Sequence, residues 1–426
     1  MKKSYSRIFL MVVLMLSLAI SAVSFAAPQK TVVRWMESKG LEVGMPLMNK
    51  IKAEFEKENP DVILEIVETP FNGFHDKVVT LAQAKKLPEV ILMQGDWVGE
   101  FAKSKIIMPI DSLIKKEPAD FLDQYFDAFK MKVNDKSYYL PFYGGCVCLF
   151  YNPALLKAEG IAAPPKTWDE LVEVSKKLTH PEKNQYAFTC TLQTEPPTNM
   201  SYDIYPLLLQ AGAKIVDKKN RPIFNSPAGV KAIQFYADLV NKEKISVPGV
   251  LSNGEKEKRG NFAAGNVAMM YDGPWGAPIQ KGLNPNNNFE ITTLPMGATS
   301  GTVVRGGFLG ISTTTAADKK KLNATWRLVK FLSGPLVCEM YTSVSGDLPS
   351  NRIAAQRPFA KENKYMQAFI KQMDEPNATP IPHLPYQVEL NRIMTVEVQN
   401  VILGKKTAKQ ALDAAADQWS ELIFKK

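Results

Sequence analysis

Histidine and cysteine are scarce in this sequence. Its 426 residues include four cysteines and three widely separated histidines, His75, His180 and His383, whose positions do not match any metal-ligand spacing. A serine nucleophile elbow, a phosphate-binding glycine loop and a His-Glu-x-x-His zinc motif are also missing. We therefore predict no metal, no cofactor and no catalytic residue, and a hydrolase is only a minor alternative.

The cysteines have an unfavourable arrangement for pairing. Cys146 and Cys148 lie two positions apart in an apolar run. On a strand, such residues share a face and point in parallel, which is a poor geometry for a disulfide. We expect buried free thiols. A disulfide that involves Cys190 or Cys338 is a weaker alternative, and a metal site is the weakest.

Only one long apolar run is present, and it stands at the start of the chain. Lys2, Lys3 and Arg7 precede the apolar residues 8–23, and small residues follow at 24–26. This order is typical of a secretory signal peptide, here residues 1–26, whereas an uncleaved membrane anchor would need a longer run. Because no cysteine follows that could carry a lipid, we predict a soluble periplasmic protein and not a lipoprotein.

The remaining chain is long enough for two domains and carries no concentrated charge. About 400 residues remain after the signal peptide, which on the usual size of domains indicates two of them. The formal charge of the whole chain is +9, but its lysines alternate with acids, as in residues 52–57. A nucleic-acid-binding protein would cluster its basic residues on one face, so a nucleic-acid partner is not predicted.

Strand and helix patterns alternate along the first part of the chain. Short β-branched runs at 31–36, 62–67 and 89–93 predict strands, and amphipathic stretches at 46–59 and 74–86 predict helices between them. Alternation of this kind is typical of an α/β fold with a mainly parallel sheet.

The same order restarts after Pro141. A strand is predicted at 147–151, and Thr167 with Glu170 three residues later predicts a capped helix start. Another strand is predicted at 267–271. Further helices are predicted at 201–211, 227–242 and 256–264.

Aromatic and acidic residues follow three of these strands. Trp275 comes after a Gly-Pro turn, Asp96 and Trp97 follow the strand that ends at Met93, and Glu37 follows the first strand. Ligands of open α/β sheets bind at the carboxyl ends of strands, and polyols need aromatic faces and charged hydrogen-bond partners. Trp275 could instead be a core residue and Asp96 a helix cap.

Several motifs, taken in order and spacing, resemble those of the extracellular solute-binding proteins of ABC importers. The sequence is most similar to the sugar-binding group, which includes maltose- and glycerol-3-phosphate-binding members. The resemblance covers essentially the whole chain after residue 26. Its carriers are residues 55–60, 87–96, 138–141, 151–152, 165–171, 264–269, 273–275, 306–308, 326–333 and 346–349.

The resemblance implies a two-lobed α/β periplasmic binding protein fold with a hinge and a ligand cleft between the lobes. The first lobe would comprise 27–143 and 308–346, and the second 144–307 and 347–426. Trp275 resembles the sugar-stacking aromatic, Asp96 the acid that accepts from hydroxyl groups, and Tyr202 a second aromatic platform. The residues expected to line the same cleft are Glu37, Trp97, Tyr143, Gly307 and Arg352.

The function implied is capture of a mono- or oligosaccharide and its delivery to the transmembrane subunits of an ABC permease, by a monomer that catalyses no reaction. Three alternatives stay open. A sugar phosphate or a polyamine could be the ligand, and Arg305 or Arg352 facing the cleft would favour the phosphate. The protein could be an exported glycoside-active enzyme, for which Glu37, Asp96 and Asp272 are the carboxylates. It could also be a sensory module with the same fold.

Overall fold

The structure is a computed structural model that describes residues 29–38, 40–195 and 200–424, so the predicted signal peptide lies outside the described residues. The strands are β1 Thr31–Glu37, β2 Val62–Glu68, β3 Val90–Gln94, β4 Tyr139–Cys146, β5 Cys148–Tyr151, β6 Tyr186–Phe188, β7 Val267–Asp272, β8 Glu290–Thr292, β9 Thr302–Ile311, β10 Leu348–Pro349 and β11 Ala378–Pro380.

Helices surround these strands in two groups. They are α1 Gly40–Val43, α2 Met45–Glu58, α3 Phe74–Gln83, α4 Gly95–Lys103, α5 Asp111–Ile114, α6 Pro153–Ala158, α7 Trp168–Leu178, α8 Met200–Gln210, α9 Pro227–Asn241, α10 Glu255–Ala263, α11 Gly276–Leu283, α12 Lys319–Leu332, α13 Pro335–Ser345, α14 Arg352–Ala355, α15 Pro358–Lys361, α16 Lys364–Met373, α17 Gln387–Ile402 and α18 Ala408–Phe424.

The strands form one sheet in each of two lobes. The first sheet has the order β10-β4-β9-β3-β1-β2, with β11 paired to β9, and the second has the order β6-β7-β5-β8. In the first, β1 pairs in parallel with β2 and β3, while β9 is antiparallel to both β3 and β4. In the second, β5 is antiparallel to β7 and β8. The predicted two-lobed α/β fold is confirmed.

The expectation of a mainly parallel sheet is wrong for the strands that connect the lobes. Strand β4 leads out of the first sheet directly into β5 of the second, and β9 returns from the second lobe to the first. Neighbouring strands that leave and re-enter a sheet in this way must run in opposite directions. The strands β1, β2 and β3, which are joined by helices, keep the parallel arrangement that the alternating pattern predicts. The pairs β6–β7 and β9–β11 are parallel as well.

The predicted helix start at Thr167 is present, with one difference. The Thr167 hydroxyl accepts a hydrogen bond from the Glu170 amide at 3.1 Å, as an N-cap does. The Glu170 carboxylate accepts from the amide of Lys166 at 2.6 Å instead of from that of Thr167. Helix α7 therefore begins where the sequence predicts, although the reciprocal bond has shifted by one residue.

Each lobe has its own apolar core. Val33, Trp35 and Leu328 belong to a buried cluster between the first sheet and α12. Tyr236 and Trp419 belong to another, in which α17 and α18 pack against each other and against α9. Burial of this apolar surface is the main favourable contribution to folding. Among the described residues, no helix is both long enough and apolar enough to cross a membrane.

The four cysteines are buried and free, as the sequence predicts. The thiol of Cys146 donates to the carbonyl oxygen of Phe369 at 3.4 Å, and that of Cys148 donates to the carbonyl oxygen of Ala368 at 3.7 Å. Burial raises the pKa of Cys148, so this thiol stays protonated at neutral pH. Both cysteines therefore behave as small core residues where β4 passes into β5.

Candidate ligand-binding site

A cavity of about 510 Å³ lies between the lobes, in the size range of small-molecule sites. We call it the aromatic cavity. Residues after β2 and at the end of β3 line it from the first lobe, the strands β4 and β9 form its floor, and α8, α10 and α11 line it from the second lobe. Its lining residues are Phe71, Asn72, Gln94, Tyr143, Gly144, Gly145, Gln193, Tyr202, Glu255, Lys256, Glu257, Arg259, Trp275, Ile279, Leu283, Arg305 and Gly306.

Trp275 reaches this cavity because of the turn that precedes it. Strand β7 ends at Asp272, and Gly273 and Pro274 then turn the chain before α11 begins. A Cβ atom at Gly273 would lie 2.2 Å from two atoms of the Trp275 ring, so only glycine leaves room for the indole here. The ring of Tyr202 meets the indole edge-on, with centroids 5.5 Å apart. Together the two rings provide an apolar wall of the kind that packs against sugar C–H groups.

Arg305 lies behind Tyr202 and also reaches the cavity. Its guanidinium stacks over the Tyr202 ring at 4.5 Å and forms an ion pair with Asp96, whose carboxylate oxygens are both 3.4 Å from Nη2. Burial alone lowers the pKa of Arg305, but Tyr202 and Asp96 raise it above its usual value. Arg305 is therefore a charged donor held between an aromatic ring and an acid.

A second arginine of the lining is held in a similar way. Arg259 of α10 donates from Nε and Nη2 to the two oxygens of Asp272, at 2.7 and 2.8 Å, and it also pairs with Glu255 at 2.8 Å. Burial would raise the pKa of Asp272, but Arg259 and Lys258 hold it below its usual value. Asp272 is fully buried, so it fixes Arg259 in the cavity wall without contacting a ligand itself.

Tyr143 lines the floor of the cavity and depends on a glycine neighbour. Its hydroxyl accepts a hydrogen bond from Gln94 Nε2 at 3.0 Å. Gly307 lies opposite Tyr143 in the β4–β9 pairing, and a Cβ atom there would be 2.3 Å from the Tyr143 ring. The predicted site residue Gly307 therefore positions Tyr143 and is not itself among the lining residues.

Two further predicted residues, Asp96 and Trp97, are buried behind the cavity. Asp96 is fully buried and meets Arg305, as described above. The Trp97 ring stacks on Phe74 at 5.6 Å and on Phe71 at 5.9 Å, within the core of the first lobe. Because Phe71 lines the cavity, Trp97 supports the wall without forming part of it.

Glu37 and Arg352, which were also predicted to line the cleft, lie outside this cavity. Glu37 is fully buried, and its carboxylate accepts from the amide of Gly40 at 2.8 Å, at the start of α1. The Arg352 guanidinium stacks over Phe126 at 4.6 Å, and its Nε donates to the carbonyl oxygen of Tyr125 at 3.2 Å. Asn351 caps α14 directly before Arg352, and this helix start carries the arginine away from the cleft.

Several lining residues were not identified from the sequence. Gln94 ends β3 two positions before Asp96, so the rule that selected Asp96 also applies to it. Glu255 and Arg259 are one turn apart on α10, a spacing typical of a surface ion pair, and the sequence gives no sign that they face a ligand. Phe71 and Gln193 lie in irregular segments, where the sequence has no periodicity from which to predict the way a side chain faces.

A larger cavity, of about 850 Å³, lies elsewhere between the lobes. Four exposed lysines line it, with no carboxylate among the residues that form its lining in the described chain. These lysines are Lys103, Lys132, Lys214 and Lys219. The aromatic cavity instead has two aromatic rings that contact each other and two arginines that are each paired with a buried acid. We therefore take it as the candidate site. Within the described ranges, no group of three or more His, Cys, Asp or Glu residues could hold a metal ion.

Comparison with known proteins gives consistent results. A sequence profile of the bacterial extracellular solute-binding proteins matches residues 39–335. The galactooligosaccharide-binding protein of Bacillus subtilis (strain 168) is 26% identical, with 95% of each chain covered. A solute-binding protein of Thermotoga lettingae TMO, solved with alpha-D-tagatose, has a TM-score of 0.80 at 26% identity and covers 93% of this chain and 100% of its own. Maltose-bound MalE3 of T. maritima has a TM-score of 0.77 at 23% identity, over 92% and 100% of the chains.

Proposed function

Because the chain belongs to the family of bacterial extracellular solute-binding proteins, we propose that it is the substrate-binding component of an ABC importer and that it captures a carbohydrate. The observation that carries this proposal is the contact between Trp275 and Tyr202 in a cavity between two lobes. Aromatic faces pack against the C–H surfaces of a sugar ring, while Gln94, Arg259 and Arg305 supply donors for its hydroxyl groups.

The balance of charge around the cavity favours a neutral ligand. Both lining arginines are paired with buried carboxylates, and Lys256 lies between Glu255 and Glu257 in the chain. A sugar phosphate would require an uncompensated arginine. Arg305 faces the cavity, as binding of a sugar phosphate would require, but it already forms an ion pair with Asp96. A polyamine would require a cage of carboxylates, and here the lining acids are balanced by cations.

The ligands named for two of the relatives belong to the same class, whereas a third relative is named for glycerol-3-phosphate. The Bacillus subtilis relative is named for galactooligosaccharides, and the Thermotoga lettingae structure holds tagatose. Both ligands are neutral polyols. They support a mono- or oligosaccharide as the solute of this chain, without selecting one of them.

We propose that binding works by closure of the two lobes. The first lobe would comprise residues 27–143 and 308–346, and the second 144–307 and 347–426, with the hinge at β4, β9 and β10. Strand β11 of the last stretch crosses back to pair with β9 in the first sheet. A ligand that contacts both walls binds the closed form better than the open form and shifts the equilibrium by that difference in affinity. A closed monomer would then dock on the ABC permease, and no covalent step is involved.

The family is extracellular, so the protein acts outside the cytoplasm. We further propose that residues 1–26 are a signal peptide cleaved near Ala26, and that the protein diffuses freely in the periplasm without a lipid. N-terminal sequencing of protein recovered from the periplasmic fraction tests this. A start at Ala27 is expected, whereas an intact N-terminus in the membrane fraction would contradict it.

Thermal unfolding of the exported form tests the proposed function. The panel contains mono- and oligosaccharides, sugar phosphates and polyamines, because a ligand present at 100 times its Kd stabilises by about 2.7 kcal/mol. A neutral sugar series should raise Tm, and Trp275→Ala should abolish the shift. Phe126→Ala is the matched control, since this aromatic residue lies under Arg352 outside the cavity.

The remaining outcomes separate the alternatives. A rise in Tm only with phosphates or amines would exclude the sugar and leave the importer role. Turnover of a chromogenic glycoside would favour an exported enzyme. No shift with any compound would contradict solute capture.

A further inference from the structure

Asp96 does not reach the cavity, but it contacts a residue that does. The Asp96 side chain is fully buried, and Arg305 lies between it and Tyr202, with 3.4 Å to Asp96 and 4.5 Å to the Tyr202 ring. Tyr202 in turn contacts Trp275. Asp96, to which the family resemblance assigned the ligand hydroxyl groups, therefore reaches the two stacked rings only through Arg305.

The other side of Asp96 is fixed by the second lobe. Asn391 of α17 donates from Nδ2 to the Asp96 carboxylate at 3.3 Å. The side-chain oxygen Oδ1 of Asn391 accepts from the Tyr205 hydroxyl at 2.7 Å and from Gln387 Nε2 at 2.9 Å, which sets the orientation of the side-chain amide. A neutral amide donor holds the carboxylate without cancelling its charge. Of these partners, Arg305 alone carries the opposite charge.

An arginine at a cavity wall attracts anions strongly unless a carboxylate compensates it. We infer that Asp96 is a specificity-determining positioning residue, whose buried carboxylate cancels the charge of Arg305 and makes the aromatic cavity select neutral ligands against anionic ones. The identity of the neutral ligand as a sugar rests on the proposed function. The effect on charge selectivity does not.

The experiment replaces the carboxylate by its neutral isostere. In Asp96→Asn, Arg305 loses the carboxylate that lies 3.4 Å from its guanidinium, while Glu255, which also raises the pKa of Arg305, is unchanged. Sulfate binding is measured by calorimetric titration with sodium sulfate, at an ionic strength held constant with chloride. Asp96→Asn should bind sulfate at least tenfold more tightly than the unaltered protein, because a hydrogen bond between two charged groups changes an affinity by about that factor. In the same variant, the affinity for lactobionate relative to lactose should rise by about tenfold, and so should the affinity for glucuronate relative to glucose.

Two control variants separate charge from structure. Asn391→Ala removes the uncharged contact of Asp96 and should leave sulfate binding unchanged. In the double variant Asp96→Asn with Arg305→Gln, both charges are gone, and sulfate binding should return to the level of the unaltered protein. If Asp96→Asn does not fold, Arg305→Gln leaves Asp96 as the uncompensated charge and should shift the preference from glucose towards glucosamine by about tenfold.

The results distinguish this inference from the proposed function. Unchanged sulfate affinity in a folded Asp96→Asn protein would overturn the inference, as would an equal gain in Asn391→Ala. A gain in sulfate binding that Arg305→Gln removes would support the inference even if no sugar binds any variant. In that case only the carbohydrate proposal would fail.

Discussion

Two short segments, one in each lobe, share a composition but use it differently. In the first lobe, Asp96 and Trp97 follow β3. In the second, Asp272 ends β7 and Trp275 comes three residues later. Both acids are fully buried, and each pairs with an arginine that lines the aromatic cavity. The tryptophans differ, since Trp275 lines the cavity and Trp97 is buried in the core of its lobe.

The difference comes from the backbone that follows each strand. Helix α4 begins at Gly95, directly after β3, so Trp97 lies in its first turn and packs onto Phe74 beneath the helix. After β7, Gly273 and Pro274 delay the helix, and Trp275 is only the N-cap of α11. A buried acid that fixes a cavity arginine is therefore common to both lobes. An aromatic platform needs the additional turn.

The largest effects should come from exchanging the two tryptophans for alanine. Trp97→Ala should lower the free energy of unfolding by about 3–5 kcal/mol, because a large buried ring is lost from the core. Trp275→Ala should lower it by less than about 1.5 kcal/mol but weaken sugar binding by about 30-fold, or roughly 2 kcal/mol. Urea unfolding and calorimetric titration measure both quantities.

The expected pattern is a crossover between stability and affinity. Folded Trp97→Ala protein should bind within a few-fold of the unaltered protein, since Trp97 stacks on the lining residue Phe71 but does not line the cavity itself. Equal losses of affinity in the two variants would contradict the distinction drawn between the segments.

A smaller effect, on the pH dependence of stability, is expected from His383, which packs next to the first-lobe segment. His383 packs against Gly95, and its Nε2 lies 2.9 Å from the Tyr139 hydroxyl. Burial lowers the pKa of His383 to about 4, whereas an unfolded histidine has a pKa of about 6.5. Between these values the unfolded chain binds a proton that the native protein does not. The folded state should therefore lose up to about 3 kcal/mol as the pH falls from 6.5 to 4.

The measurement compares unfolding of the unaltered protein and His383→Gln across this pH range. Carboxylates also titrate near pH 4, so only the difference between the two proteins reports on His383. The advantage of the unaltered protein should shrink by about 3 kcal/mol on acidification. Parallel stability curves would show that His383 does not titrate as its burial predicts.

The comparison also shows how far the sequence could predict the site. The position of Trp275 follows from local signals, because a strand pattern that ends in Gly-Pro determines the turn. The role of Asp96 could not be predicted in this way, because its partner Arg305 is 209 residues away in the sequence. Their contact depends on the register of β9 against β3 and β4, and no local pattern sets that register.

The fold, too, combines local features with features that depend on the whole chain. Periodicity and caps predicted the helices and strands well, since these depend on neighbouring residues. The antiparallel direction of β9 arises because the chain passes to the second lobe and returns, which is a property of the whole path. Arg352 lies outside the cavity for a local reason, because the cap at Asn351 starts a helix there.

The smallest expected effect comes from the glycine in each segment. A Cβ atom at Gly273 would lie 2.2 Å from the Trp275 ring, whereas one at Gly95 would lie 3.4 Å from Phe308 and 3.5 Å from His383, which are ordinary contacts. Gly273→Ala should therefore displace the indole and weaken sugar binding by about tenfold, or 1.4 kcal/mol, while Gly95→Ala leaves affinity nearly unchanged. Calorimetric titration of both variants decides. Equal affinities would mean that the indole can shift without losing its contact with the ligand, and that the Gly-Pro turn sets the position of Trp275 less strictly than the geometry implies.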